Sequence, residues 1–326
     1  MNTDTEHPIS EANTQKDSRT KNNKSAQQWC LRLGKFFLLA VMLYFVGAAI
    51  IERVSGLDWH GLNIDFRFLP LALLFLISGR ILMGIFYERL LYLLNSPVPR
   101  SVAMSVCWVA GIGKYVPGKV AILANSVYLL SFYKIRAAVA AIIPVLNNGM
   151  AVLISLLLAS PLLFSSWTYG QIPFSRMGFV LLIIAGCVAL WPPFFLGMIN
   201  ILLGLMKRPR ITVRLTFGQM FFPLCIILGQ CLLTGLSTWC MARAVAPLDA
   251  ASILPIVSVN AMAGALGILA LFAPAGIGVR EGVFLVMLSQ FVGEESAALL
   301  TICLRLLQII TDVLMAALGM AVFRVV

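Results

Sequence analysis

Charged residues stand in two glycine- and proline-containing interruptions of otherwise apolar sequence. Residues 111–119 read GIGKYVPGK, which we name the first break, and residues 273–282 read APAGIGVREG, the second break. Backbone that leaves the helix at membrane depth persists only where protein or a water-filled cavity satisfies it. Each break directly precedes a helical arm, whose free N–H groups and positive dipole end attract anions. The two breaks are therefore predicted to bind a phosphate group together.

The residue types in the two breaks suit close contact with an anion. Lysine and arginine supply positive charge, and glycine lets a ligand approach the backbone more closely than any side chain permits. Two other interpretations stay open: glycine and proline only allow sharp turns in packed hairpins, and Lys114 extends to the membrane surface. The predicted substrate-binding residues are Lys114, Pro117, Gly118, Lys119, Gly276, Gly278, Arg280, Glu281 and Arg305.

A stripe of polar residues at helical spacing runs along the last apolar segment and includes Arg305. A charge at the bilayer centre costs roughly 2.5–3.5 kcal/mol on insertion scales, so the stripe is expected to face the protein interior. Pairing of Glu281 with Arg305 or with Arg80 would neutralise the site locally and leave guanidinium donors for a headgroup. A purely structural ion-pair network is the alternative. The predicted supporting network consists of Arg80, Thr301, Gln308 and Asp312.

Signatures of catalysis and of metal binding are scarce in the sequence. There is no nucleotide-binding loop, no cysteine spacing typical of ligands, and both histidines lie outside the apolar segments. A general acid/base pair formed by Glu281 and Asp312 is left open. We expect no metal, no cofactor and no nucleic-acid partner. Four amide residues in apolar segments are expected to form hydrogen bonds between helices; these are Asn147, Asn148, Gln230 and Asn260.

The composition is that of a polytopic all-α membrane protein. Hydrophobic residues make up 60% of the 326 residues and charged residues only 11%. Several apolar runs reach the roughly 20 residues that a spanning helix needs, whereas a β-barrel would show short alternating segments. The net charge of +11 fits cytoplasmic loops rich in lysine and arginine, and it would also favour anionic lipid.

Hydropathy and basic residues together predict a topology with both termini in the cytoplasm. Residues 1–32 are expected to be a disordered cytoplasmic tail and residues 33–326 a single membrane domain. The acidic stretch 293–296 is expected to be external, and the hairpins at about 101–133 and 253–291 are expected to be re-entrant. Six spans are predicted at about 33–51, 68–94, 137–164, 178–206, 217–243 and 297–323.

The order of segments repeats between residues 33–164 and residues 178–323. Each half reads span, span, broken hairpin, span, and the halves begin on opposite sides of the membrane. Interrupted segments at corresponding positions of inverted repeats are typical of transporters that bind substrate near the midplane. The alternative topology has hairpin arms that cross fully, which gives seven or eight spans.

The first break together with Pro274-Ala-Gly-Ile-Gly-Val-Arg-Glu281 resembles the flippase-like family that includes the transmembrane region of lysylphosphatidylglycerol synthase. The likeness covers about residues 33–323. The family typically shows Pro-Gly-Gly-hydrophobic-Gly followed shortly by Glu, and Ala275 replaces its first glycine here. The resemblance implies a membrane domain that moves a lipid headgroup across the bilayer. Because the chain ends at Val326, we expect no aminoacyltransferase domain and no synthesis of an aminoacylated lipid.

These observations predict a flippase or transporter, not an enzyme, in the cytoplasmic membrane. The expected substrate is an anionic, phosphate-bearing lipid, either a phospholipid or a polyprenyl-phosphate-linked lipid. The alternatives are a non-transporting membrane partner that presents lipid to a glycosyltransferase and a lipid-modifying enzyme. The sequence identifies neither the lipid, nor the direction or energy source of transport, nor the oligomeric state.

Overall fold

The computed structural model describes residues 65–116, 120–163, 216–270 and 273–325, together with scattered helical positions between 177 and 204. These four ranges contain helices and turns and no strand. The predicted tail and the predicted span at 33–51 lie outside the described residues. The helices are α1 Phe68–Leu93, α2 Arg100–Gly111, α3 Val120–Ser131, α4 Ala137–Ala159, α5 Phe217–Val245, α6 Ile253–Leu269, α7 Val279–Val292 and α8 Glu294–Val325.

Six helical stretches of the described chain are long and apolar enough to cross a membrane. The chain is therefore an all-α polytopic membrane protein, as predicted. Four of these stretches coincide with predicted spans, and the other two are the arms that flank the second break. The six stretches are Phe68–Leu93, Ala137–Leu162, Gly218–Val245, Ala250–Leu269, Pro274–Val292 and Glu294–Phe323.

The two hairpins differ in the length of their arms. Helices α2 and α3 have 12 residues each, or about 18 Å at a rise of about 1.5 Å per residue, which is too short for a hydrocarbon core of about 30 Å. The arms of the second hairpin have 20 and 19 residues when their short 3₁₀ turns are included. Length therefore favours re-entrant arms in the first hairpin and permits full crossing in the second.

The stretch 293–296, which was expected to be external and to precede the last span, is mostly helical and joins that span; its external position stays a prediction. Only Gly293, in the left-handed region at φ 82°, separates α7 from α8. A glycine adopts this conformation without steric cost, so one residue suffices for the turn. Glu294 and Glu295 lie in the first turn of α8, where the helix dipole favours negative charge. The two glutamates therefore stabilise the start of α8.

Helix packing repeats between the two halves of the described chain. Helix α1 packs on α2 as α5 packs on α6, and α3 packs on α4 as α7 packs on α8. The halves also exchange partners, because α4 packs on α6 and α8 packs on α2, while α1 and α5 form the largest interface. The same order of helix contacts therefore occurs in both halves, as expected for two structural repeats. Their opposite orientation in the membrane stays a prediction.

Helix α8 carries its polar residues inward and its apolar residues outward. Arg305 and Asp312 are each only 8% exposed, whereas Ile310, Val313 and Leu318 are 52–56% exposed. This distribution is the reverse of the pattern for a helix on the surface of a water-soluble protein. It fits a helix with one face in lipid and the other toward a polar interior, which confirms the predicted orientation of the stripe.

Candidate functional site

The first break begins as a tight turn that only glycine permits. Helix α2 continues into a 3₁₀ turn at Ile112–Tyr115, and Gly113 lies against the start of α3. A Cβ atom at Gly113 would stand 2.5 Å from the backbone nitrogen of Ile122. The chain thus reverses at close backbone contact. Pro117, Gly118 and Lys119 lie outside the described residues, so their contact with substrate stays a prediction.

The second break contains three residues in the left-handed region. Ala275 has φ 51°, Gly276 has φ 73° and Gly278 has φ 87°. Gly276 lies against Gly267 of α6, where a Cβ atom would approach the Gly267 Cα to 2.9 Å. Gly276 therefore serves close packing of the hairpin. Ala275 occupies a backbone conformation that favours glycine, and glycine is the residue that the resembled family has there.

The N-terminus of α7 already holds a carboxylate. The backbone N–H of Gly278 donates a hydrogen bond to Oε2 of Glu281, at 2.7 Å. This side chain therefore occupies one of the free N–H groups that were predicted to attract a ligand anion. The guanidinium groups of Arg280 and Arg305 add to the attraction for an anion that the remaining N–H groups of α7 offer at the second break.

The two breaks contact each other through their 3₁₀ turns, Ile112–Tyr115 and Pro274–Gly276. A cavity of about 250 Å³ lies beside this contact. Both breaks and helices α1, α2, α3, α4, α5, α6 and α8 contribute to its wall. Its polar and charged side chains include Arg80, Tyr87, Trp108, Lys114, Tyr115, Asn147, Asn148, Ser155, Gln230, Thr234, Asn260, Arg280, Arg305, Gln308 and Asp312.

Asp312 gathers the cations on the first-break side of the cavity. Its Oδ1 is 2.6 Å from Nη2 of Arg80, and its Oδ2 forms a salt bridge with Nζ of Lys114. The hydroxyl of Tyr115 donates a hydrogen bond to the same Oδ2 at 2.7 Å. Lys114 therefore turns inward and does not extend to the membrane surface. One carboxylate of α8 thus joins α1 and the first break.

The second-break side has its own, looser charge network. Nε of Arg305 lies 3.4 Å from Oε1 of Glu281, and both its Nη atoms donate to the carbonyl oxygen of Ala275 at 3.3 Å. Of the two predicted partners of Glu281, the structure thus selects Arg305. Arg280 has no carboxylate partner among the described residues. Its Nη2 donates to Oδ1 of Asn260 at 3.2 Å.

Several buried polar atoms of the cavity wall make no hydrogen bond within the described chain. These are Nε of Arg80, Nε of Arg280, Nε of Arg305 and Oδ1 of Asn147. Buried polar groups in proteins are generally satisfied, and exceptions call for an explanation. The cavity therefore has hydrogen-bonding capacity that the described protein atoms leave unused.

No family model matches the chain, and no curated protein sequence matches it. The resemblance to the flippase-like family accordingly stays a prediction that depends on the two breaks. Any functional conclusion has to come from the cavity itself.

The structure brings most of the predicted charged residues together. Arg80, Lys114, Arg280, Arg305 and Asp312 line the cavity, together with the predicted polar residue Gln308. Glu281 joins them through Arg305, whereas the Thr301 hydroxyl donates to the Ala297 carbonyl of its own helix at 2.7 Å. Contact of Gly276 and Gly278 with a substrate stays a prediction, because neither glycine is part of the cavity wall.

The two carboxylates that were considered as a general acid/base pair bind different cations. Glu281 pairs with Arg305, and Asp312 pairs with Arg80 and Lys114. In the described part of the chain, no three histidine, cysteine, aspartate or glutamate side chains come together as a metal site would need. The chemistry that this arrangement offers is the binding of an anion.

Sequence reasoning missed the amide-rich wall of the cavity. Asn147, Asn148 and Gln230 were expected to bridge helices, yet they line the cavity. Asn260 does both, because its Oδ1 accepts a hydrogen bond from the Thr238 hydroxyl of α5 at 3.1 Å. The sequence feature that could have indicated this wall is the presence of several amide residues in apolar helices, where such residues are rare. That signal does not distinguish a bridge between helices from a cavity wall.

Proposed function

We propose that the protein is a lipid flippase or transporter that moves a phosphate-bearing headgroup across the membrane. The observation that carries this proposal is the meeting of the two breaks beside a cavity with four cationic side chains. These side chains come from both halves of the described chain: Arg80 and Lys114 from the first, Arg280 and Arg305 from the second. A polar site between repeats is what alternating access requires, because one site must serve both sides.

The size of the cavity supports a headgroup site with the lipid tails outside. Pockets that bind drug-sized ligands have volumes of about 300–1,000 Å³, whereas this cavity has about 250 Å³. It is therefore large enough for a compact polar group and too small for two acyl chains or an isoprenoid chain. In this proposal the tails remain in lipid, against the apolar outer faces of helices such as α8.

Roles within the cavity follow from the partners of each cation. Arg280 is the cation without a carboxylate partner in the described chain, so it is the first candidate to pair with a phosphate. Arg305 supplies a second guanidinium and is oriented by Glu281, at 3.4 Å. The same carboxylate is the candidate carrier of a coupling proton, in which case Glu281→Gln abolishes dependence on a pH gradient.

The proposal includes the location of the protein and a distinction from the alternative function. The protein would lie in the cytoplasmic membrane with both termini in the cytoplasm, and it would move lipid without modifying it chemically. A protein that instead presents lipid to a glycosyltransferase would bind the same headgroup without transporting it. The two functions therefore separate in a transport measurement.

The test is lipid movement in vesicles reconstituted with the purified chain. We expect the protein to accelerate exchange of fluorescently labelled anionic phospholipids between leaflets. Arg280→Gln should slow that exchange about ten-fold, the effect of losing one strong charged contact. Arg89→Gln is the matched control, because Arg89 is exposed and lies over the ring of Phe222, 5.0 Å from its centroid, outside the cavity wall. Equal movement with and without protein, for several anionic lipids, would refute transport.

A further inference from the structure

The cavity wall carries more positive than negative side chains. Arg80, Lys114, Arg280 and Arg305 bring four positive charges to the wall. Asp312 and Glu281 are the carboxylates paired with them, which leaves an excess of two positive charges among the described residues. Desolvated charge without compensation is costly in a membrane. The structure is therefore built to receive negative charge.

The hydrogen-bond inventory is unbalanced in the same direction. Nε of Arg80 and Nε of Arg280 have no acceptor in the described chain. The two Nη atoms of Arg305 share one carbonyl oxygen at 3.3 Å, beyond the usual N–H···O distance of about 2.7–3.2 Å. The cavity thus has guanidinium donors in surplus. A ligand with several acceptor oxygens around one centre would use them.

These two inventories distinguish between classes of lipid headgroup. A terminal phosphate monoester carries about −1.5 to −2 charges at neutral pH and three acceptor oxygens. A phosphodiester carries one negative charge and exposes two such oxygens, so it would leave one positive charge uncompensated. A headgroup with an ammonium would add a cation to a wall that already holds four.

We propose, as a step that depends on the proposed function, that the headgroup is a terminal phosphate monoester. The monoester sits beside Arg280 and Arg305, because Asp312 already binds the cations of the first-break side. The amide side chains of Asn147 and Asn148 complete its surroundings, since each carboxamide can donate an N–H as well as accept. A compact phosphate also suits a cavity of about 250 Å³.

The experiment compares two lipids that differ only in this group. The purified chain in nanodiscs of phosphatidylcholine receives dioleoyl phosphatidic acid, a monoester, or dioleoyl phosphatidylglycerol, a diester. Bound lipid is counted by native mass spectrometry. We expect a preference of about ten-fold for the monoester at about pH 7.5. At about pH 5.5 the preference should fall, because the second ionisation of a phosphate monoester occurs near about pH 6.

Variants of the cavity wall test whether its excess positive charge causes the preference for the monoester. Arg280→Gln removes one positive charge and Asn147→Asp adds one negative charge, so each lowers the excess charge of the cavity from two to one. In both variants the ratio of bound monoester to bound diester should fall close to one. Arg280→Lys keeps the charge and should keep the preference. Arg89→Gln is again the control and should behave as the unmodified chain.

The outcomes separate this inference from the proposed function. Equal retention of the two lipids at both pH values, in a protein that still moves anionic lipid, would overturn the monoester assignment alone. Failure to retain or move any anionic lipid would overturn both. A preference that persists unchanged at the lower pH would also count against the monoester, because its charge would then not be the property recognised.

Discussion

At the first break the cations are bound by a carboxylate from the last helix, whereas at the second break the carboxylate belongs to the break itself. Asp312 joins Lys114 and Tyr115 to α8, so this contact crosses between the two halves. Glu281 caps its own helix through Gly278 and only then reaches Arg305. The first break is therefore held by a charge on another helix, whereas Nε of Arg280 and Nε of Arg305 at the second break have no hydrogen-bond acceptor in the described chain.

The largest difference between the breaks should appear when each carboxylate is neutralised. Asp312→Asn leaves Arg80 and Lys114 without their anion, and the loss of one partner of a buried ion pair costs about 3–5 kcal/mol of unfolding free energy. Glu281→Gln should cost only about 1 kcal/mol, because the Gln oxygen can still accept the Gly278 N–H. Unfolding by dodecyl sulfate in mixed micelles measures both values.

Equal costs for Asp312→Asn and Glu281→Gln would remove the distinction between the two breaks. A third variant, Asp312→Glu, keeps the charge and should recover part of the stability. Failure of this recovery would mean that the shape of Asp312 matters more than its charge.

The next effect concerns the turn of the first break. Gly113→Ala would place a Cβ atom 2.5 Å from the Ile122 nitrogen and 2.6 Å from the carbonyl carbon of Ala121. Because both are backbone atoms that no rotamer change can move, we expect a loss of about 3 kcal/mol. The same unfolding titration measures it.

Gly111→Ala is the matched control for the first break. A Cβ atom there would have no atom within 4 Å, and Gly111 ends α2. Alanine is favoured over glycine in helices by about 1 kcal/mol, so stability should be unchanged or slightly higher. A loss at Gly111 as large as that at Gly113 would show that the turn is not the cause.

The smallest effect is expected in the second break, at Ala275. A residue with a side chain pays roughly 1–2 kcal/mol in the left-handed region, and glycine loses about 0.4–1 kcal/mol through its freer unfolded chain. Ala275→Gly, at φ 51°, should therefore raise the unfolding free energy by about 0.5–1 kcal/mol. Its readout is the dodecyl sulfate midpoint.

Ala273→Gly serves as the comparison for Ala275. Ala273 lies in the extended region at φ −87° and ψ 113°, which any residue adopts, and its methyl group is buried. This variant should therefore be less stable by about 1–2 kcal/mol, because the unfolded chain gains freedom and a buried methyl group is lost. Two changes of the same sign would show that backbone conformation does not decide the result.

Local pattern was sufficient to predict which faces are polar but not which residues meet. Helical spacing placed Arg305 and Asp312 on one interior face of α8, and the structure confirms this. Arg305 and Arg80 were predicted as alternative partners of Glu281, because each is a charged residue within an apolar segment. The ion pair of Lys114 with Asp312 was not predicted, because spacing along a helix reveals a shared face and carries no information about distant segments.

The predicted boundaries were most accurate where apolar runs ended at basic residues. The span predicted at 68–94 became Phe68–Leu93 and that at 217–243 became Phe217–Val245. The last span was predicted to begin at about residue 297, whereas α8 begins at Glu294, because the two glutamates were left out of the apolar run. Negative charge stabilises the first turn of a helix, so Glu294 and Glu295 can belong to it.

The hydrogen bond from Tyr115 to Asp312 joins residues 197 positions apart in the chain, and α2 packs on α8 in the same region. At about 5–20 residues per second, a ribosome needs roughly 10–40 seconds to make the intervening segment. During that interval Lys114 is already in the nascent chain and its counter-ion has not been translated. The contacts of Lys114 and Tyr115 with Asp312 can therefore form only after the final helix has been synthesised.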